Sequence, residues 1–394
     1  MSIQDIGRLL EEVRKLVDSH RNRQLEKIWQ SSEDAVRDSW RGTPRPLGSA
    51  GFKGVPITVE PEKTMWAKIL RFRVKDFYTI PEVYLEYSLK IAKYKFQEFK
   101  DDAPVSKSID IWLGSAFEPS LFGVETVYLE DKSPWIGKNP IIKKEEDLDS
   151  LEYPDFYESG SMPLAHRFYE RIRELVGEDF NVTFPCWMKG PFGTAVHLRG
   201  MKELLIDTVV RPDFVHRLMR FITESRKRWI QERAKYLGVR VGKGDLDNDE
   251  VNCPTLSPKT YQEFVLPYEK ELCEFHRGIS YWHSCGDTTR LLPLIKEIPE
   301  LRMLHIGPWT DLSKVVEVFG STVPFEICLH PVRDVLLATE ASMKDKLTEI
   351  IKTCGNMAYT VRADGLDAIG ALDPAISQVK LWIDVAREVV EKIG

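Results

Sequence analysis

Eight short apolar runs with strand composition recur along this chain, at residues 55–59, 109–113, 181–186, 240–244, 279–283, 302–306, 323–328 and 357–361. Between most of them lie segments whose apolar residues return at helical spacing. Phe214, Leu218, Phe221 and Ile222 form one such stripe; Val379, Trp382, Ile383, Ala386 and Val390 form another. Strand and helix alternating in this way define the α/β class with a parallel sheet. Eight repeats point to a (β/α)8 TIM barrel carrying long insertions, with a doubly wound open sheet as the alternative. No Gly-x-Gly-x-x-Gly follows the first run, which argues against a dinucleotide-binding version.

Ahead of the first strand, Ile6, Leu9, Leu10, Val13, Leu16 and Val17 make the stripe of an amphipathic helix. Residues 40–54 are rich in Gly and Pro and read as a loop or linker. The expected division is therefore an N-terminal helical extension and linker over 1–54 and the barrel over 55–394. The extension suits a homodimer contact and packing on the barrel equally well. With 43% hydrophobic and 29% charged residues, the chain has the composition of a soluble globular protein. A net charge of −6 and the lack of any basic, aromatic-interleaved patch exclude nucleic acid as the expected partner. No run approaches the roughly 18 apolar residues of a membrane span, and the polar N-terminus is unlike a signal peptide. The six cysteines are scattered, with no paired short spacing, so they read as thiols of a cytoplasmic enzyme rather than as a disulfide framework.

The chemistry concentrates between Gly244 and Asp287. The run Ile279–Trp282 stops abruptly at His283-Ser284-Cys285-Gly286. Alternation along a strand end puts His283 and Cys285 on one side, where one metal ion could be held by both. Upstream, Asp245, Asp247, Asp249 and Glu250 place four carboxylates within six residues at the end of another strand. If that segment lies at a barrel mouth, some of these groups bind substrate, a metal or a proton. The two segments are joined by a helix expected over 257–277, with Ser257 as N-cap and Pro258 at its first position.

These segments resemble the uroporphyrinogen decarboxylase superfamily, and within it the corrinoid-dependent methyltransferases. Lys189-Gly-Pro-Phe-Gly-Thr194 with the later Arg199-Gly200 is similar to the family's Gly-Pro-Phe-Thr segment. Gly244-Asp-Leu-Asp247, then Leu256-Ser257-Pro258, Tyr261 and Pro267-Tyr268, resemble its Asp-Asp and Ser-Pro-x-x-Tyr region. His283-Ser-Cys285-Gly286 resembles its His-x-Cys-Gly metal motif. The likeness covers roughly residues 105–394. It implies a TIM barrel, which agrees with the strand count, and it separates two chemistries. The porphyrinogen decarboxylases use no metal and bind an acidic tetrapyrrole through an Arg-Gln-Ala-Gly-Arg motif, which this sequence lacks. The methyltransferases use zinc and exchange a methyl group with a cobalamin carried on a partner corrinoid protein.

One departure stands out. Thiol-methylating members take a further Cys from the last strand, where this chain reads Thr360-Val-Arg-Ala-Asp364-Gly-Leu. Cys328 (with His330), Asp364 and the carboxylates Asp247, Asp249 and Glu250 are the available substitutes. Oxygen-rich ligation suits zinc acting as a Lewis acid on an ether or amine rather than as a thiolate holder. The expectation is thus methyl transfer between a small methylated compound and a partner's cobalamin. His283, Cys285 and Cys328 are expected to hold zinc, Asp247, Glu250 and His283 to carry catalysis, and Trp187, Phe192, Asn252 and Phe117 to surround the substrate. The alternative is a metal-free decarboxylase or lyase acting on a carboxylated small molecule with the same barrel.

Overall fold

The computed structural model describes residues 3–29 and 54–393. Ten strands occur among them, in chain order β1 (Ile57–Pro61), β2 (Ser108–Asp110), β3 (Thr126–Val127), β4 (Trp135–Ile136), β5 (Asn181–Thr183), β6 (Gly244–Asp247), β7 (Ile279–His283), β8 (Leu304–Ile306), β9 (Phe325–Leu329) and β10 (Tyr359–Leu366). Six of them form one parallel sheet in the order β1-β10-β9-β8-β7-β6, and β2 pairs in parallel with β5. The chain leaving β5 meets the end of β6 through the parallel bridge Lys189–Asp247, with Gly190 N–H donating to the Asp247 carbonyl at 3.0 Å. The result is a (β/α)8 barrel of β1, β2 and β5–β10, while β3 and β4 form a small antiparallel hairpin in an insertion.

The seam beside β1 is closed by side chains as well as by main chain. Ile57 and Val59 donate their N–H groups to the carboxylates of Asp102 and Asp101, at 2.8 and 3.0 Å. Those donors would otherwise be buried without partners, since both residues are nearly inaccessible. Burial of the Asp102 carboxyl pushes it up to about 6.

Each of the eight expected strand runs contains or adjoins an observed strand, with the largest shift at 240–244, where the strand is Gly244–Asp247. That shift brings Asp245 and Asp247 into the strand itself. The long helix expected over 257–277 is broken in two, Pro258–Phe264 and Leu266–His276. Pro267 lacks the N–H that a continuous helix would need there. Ser257 does cap the first of them, accepting from Thr260 N–H at 3.0 Å.

The N-terminal helices Ile3–Val17 and His20–Glu26 lie on the barrel. Ile6, Leu9, Leu10 and Val13 are buried, Asn22 pairs with both backbone groups of Val105 (2.9 and 2.7 Å), and the Trp29 indole donates to the Asp102 carbonyl at 2.9 Å. Of the Gly/Pro-rich stretch expected as a linker, all but Gly54 lies outside the described residues. Among the described residues no helix is long and apolar enough to cross a membrane.

Candidate active site at the barrel mouth

The C-terminal ends of the strands open into a cavity of about 600 Å³. Residues of β6 to β10 and their following loops converge there: Asp247, Asp249, His283, Cys285, His305, Cys328 and Asp364 all line it. Alternation explains why. On β7, β9 and β10 the inward positions are two apart, giving Tyr281 and His283, Glu326 and Cys328, Arg362 and Asp364.

At the centre is the Nε2 atom of His283. Asp249 Oδ1 lies 3.1 Å from it, Cys285 Sγ 3.2 Å and Asp247 Oδ1 3.6 Å. One ring N–H cannot serve three acceptors, so the arrangement is short of positive charge at a single point. Burial of His283, the largest influence, works against protonation, but Cys285, Asp247 and Asp249 outweigh it and hold the imidazole well above its ordinary value. The donor atoms fall into two groups that share His283, one with Cys285 and His305 and one with Asp247 and Asp249, each held within 4.8 Å, a reach compatible with the roughly 3.5 Å between donors on a tetrahedral zinc. The residues present fit a zinc ion.

A second layer fixes His283. Its Nδ1 faces the Tyr281 hydroxyl at 3.4 Å; that hydroxyl donates to Glu326 Oε1 at 2.5 Å, and Arg362 holds the other Glu326 oxygen at 3.3 Å. The chain imidazole–phenol–carboxylate keeps Nε2 turned toward the cluster.

The strand end carrying Asp247 and the loop carrying Asp249 are held from behind. Asn248 donates its backbone N–H to the His283 carbonyl at 2.8 Å and its side-chain amide to Glu269 at 2.7 Å. Glu269 is fully buried and also accepts from Tyr261 (2.5 Å) and Trp282 (3.3 Å). Burial dominates over these bonds and pushes its carboxyl up to about 7. A carboxyl that gains affinity for its proton on folding stabilises the fold below its unfolded value near 4.5, and that contribution is lost as pH rises toward 7. The loss is about 3 kcal/mol at about 1.4 kcal/mol per pH unit. Glu269→Gln should remove this slope, so between pH 4.5 and 7.5 the stability of wild type relative to the variant, measured by denaturation, should fall by about 3 kcal/mol. Parallel curves would contradict the assignment.

Not every residue expected at the site reaches the cavity. Glu250 turns the other way, toward the helix Pro191–Arg199, where it takes His197 Nε2 at 2.7 Å and Lys189 Nζ at 3.4 Å. Trp187, Phe192 and Phe117 are buried in the core; Trp187 packs edge-on against Phe122 and Trp229, and Phe117 against Trp229. Asn252 donates to the Asp249 carbonyl at 2.8 Å and so shapes the acidic loop from outside the cavity. Cys328 lines the cavity, but its donor atom groups with those of His305 and Glu326 rather than with His283 and Cys285. Among the cavity-lining residues that were not anticipated are His305, Met188 and Trp309, while Trp112, read from the sequence as core or pocket wall, does line it. His305 had a legible signal: an imidazole flanked by Leu304 and Ile306 in a fully buried strand.

A parallel α/β barrel with a ligand-bearing cluster at its C-terminal rim has the architecture of an enzyme. The model of the uroporphyrinogen decarboxylase (URO-D) family matches residues 108–362, and the chain belongs to that family. It is 24% identical over 216 residues to a uroporphyrinogen decarboxylase of Thermodesulfovibrio yellowstonii, covering 52% of this chain and 60% of that one. It is 26% identical over 170 residues to a methylated-thiol–coenzyme M methyltransferase of Methanosarcina mazei, covering 42% and 43%. The chain thus spans less than two thirds of these relatives' lengths. A methyltransferase from Methanosarcina mazei has the same fold, with a TM-score of 0.62 at 16% identity over 86% of this chain and 94% of that one.

Proposed function

We propose that this protein is a methyltransferase that moves a methyl group between a small methylated compound and the cobalamin of a partner corrinoid protein, with zinc held at His283 and Cys285. The observation that carries this reading is the convergence of Asp247, Asp249 and Cys285 on one nitrogen of His283. Held by these residues, zinc would supply Lewis acidity to the atom from which the methyl group departs. The methyl leaves without its bonding electron pair, which stays on the oxygen or nitrogen; a quaternary ammonium departs as a neutral amine, whereas the oxyanion left by an ether must be met by a cation or a proton. Asp247, 3.6 Å from His283 Nε2 and lining the cavity, would carry that proton. Tyr281 and Glu326 orient His283, and the exposed faces of Trp112 and Trp309 supply apolar wall.

Charge supports a methyl donor over an acidic tetrapyrrole. The cavity is lined by Glu60, Glu62, Asp110, Asp247, Asp249 and Asp364 against Lys63 and Lys95, and Lys95 is already engaged by Glu60 at 3.0 Å and Asp101 at 3.4 Å. A polycarboxylate would meet net repulsion there. The alternative, a metal-free decarboxylase, shares the barrel and the family name.

The test is zinc-loaded protein mixed with reduced cobalamin and, in turn, an aryl methyl ether, trimethylamine, a betaine and dimethyl sulfide. Methylcobalamin should appear with one of them. Release of carbon dioxide from a carboxylated substrate by metal-stripped protein, with no methylcobalamin from any donor, would sink the proposal.

A further inference from the structure

We propose that His305 on β8 is the third protein ligand of the metal centre and that Cys328 is not. The inference rests on the zinc reading above and names a ligand that the His-x-Cys motif does not contain.

A ring nitrogen of His305 lies within 4.8 Å of the donor atoms of both His283 and Cys285, and the two imidazole centroids are 4.0 Å apart. The His305 tautomer follows from its neighbour. Nδ1 sits 2.9 Å from the carbonyl oxygen of Ser284, which can only accept, so Nδ1 carries the hydrogen and Nε2 carries the lone pair. An outer hydrogen bond to a backbone carbonyl is the usual support of a metal-ligating histidine. Here that carbonyl belongs to the residue between His283 and Cys285. Ser284 is itself pinned, its hydroxyl donating to the Val251 carbonyl at 3.0 Å. The third ligand is therefore tied to the backbone that presents the first two.

Close approach of β8 to this motif is built into the chain. A Cβ on Gly307 would lie 2.7 Å from the Cys285 carbonyl oxygen and 3.1 Å from that of Ser284. Any larger residue two positions after His305 would push the strand end off the motif. Cys328 lacks this geometry. Its Sγ lies against Glu326 at 3.9 Å and its donor atom does not group with those of His283 or Cys285.

Two histidines and one cysteine leave the fourth tetrahedral position open to the cavity, as in catalytic zinc sites. One thiolate rather than two also leaves the centre more positive, which suits a Lewis acid acting on an ether or amine. The missing last-strand cysteine is then replaced from β8, not from β9 or β10.

Cobalt(II) substitution of the full chain tests this without any methyl donor. Wild type should bind cobalt with the absorption of a single sulfur-to-cobalt bond. His305→Ala, with unchanged thermal midpoint, should bind at least about 100-fold more weakly, beyond the roughly 10–100-fold effect of outer-shell losses. His305→Cys should restore binding and double the sulfur-to-cobalt intensity, an effect that a merely structural residue would not produce. Cys328→Ser should match wild type. Undiminished binding by His305→Ala, no added sulfur band in His305→Cys, or loss of binding in Cys328→Ser would each overturn the proposal while leaving the zinc reading intact. A wild type that binds neither cobalt nor zinc would overturn both.

Discussion

Cys285→Ala should abolish methyl transfer, lowering turnover by about 10³-fold or more while leaving the fold intact. The size follows from what is lost. Lewis-acid stabilisation of a developing charge is worth several kcal/mol, and each 1.4 kcal/mol is about tenfold in rate. The fold should survive because Cys285 is exposed to the cavity and its backbone N–H, bonded to Asp249 Oδ1 at 3.2 Å, does not depend on the side chain. The loss should be in kcat at saturating donor as much as in kcat/KM, because the group acts on the departing atom and not on ground-state binding alone. Turnover within tenfold of wild type, at matched protein stability, would remove Cys285 from the chemistry.

Asp207→Ala should produce the largest single-residue loss of stability among the polar positions, about 3–5 kcal/mol, the usual penalty for stranding a buried charge. Asp207 is wholly inaccessible and takes Arg199 Nε at 2.8 Å and Arg211 Nε at 2.9 Å. Arg199, 4% exposed, also donates to the carbonyl of Ile142 at 3.1 Å, and so ties the insertion before β5 to the helix Pro191–Arg199. Removing the carboxylate leaves the guanidinium buried with carbonyls alone. Arg211, 40% exposed in its side chain, can turn to water and loses little. A denaturation midpoint equivalent to less than about 1 kcal/mol of change would place the pair among ion pairs of surface strength.

Much of this architecture was legible because most barrel strands lie in or beside short apolar runs bounded by turns or helical stripes. What was not legible is which face of a strand end looks into the barrel. At the end of β5, Trp187 was the expected substrate contact, yet Met188 lines the cavity while Trp187 is in the core. At the end of β6 the same one-residue difference separates Asp249, in the cavity, from Glu250, bonded to His197 outside it. Side chains alternate with a period of two, so a slip of one residue exchanges inside for outside, and an all-apolar run gives no cue to its phase. Charged or polar residues inside buried strands do give that cue. His305, Glu326 and Arg362 each interrupt an apolar strand, and the side chains of all three are held by hydrogen bonds within the barrel. The His-x-Cys pair was readable for the same reason: it ends its strand on two polar residues of equal parity.

A metal held where three acceptors meet His283 is the centre of the proposed chemistry. Elemental analysis of zinc in protein exposed to zinc and then desalted, wild type beside the double variant His283→Ala, Cys285→Ala, tests it most directly. About one zinc per chain in the wild type, the stoichiometry of a mononuclear catalytic site, and none in a double variant of unchanged thermal midpoint is the predicted result. A metal-free wild type, or a double variant that keeps its zinc, would contradict it.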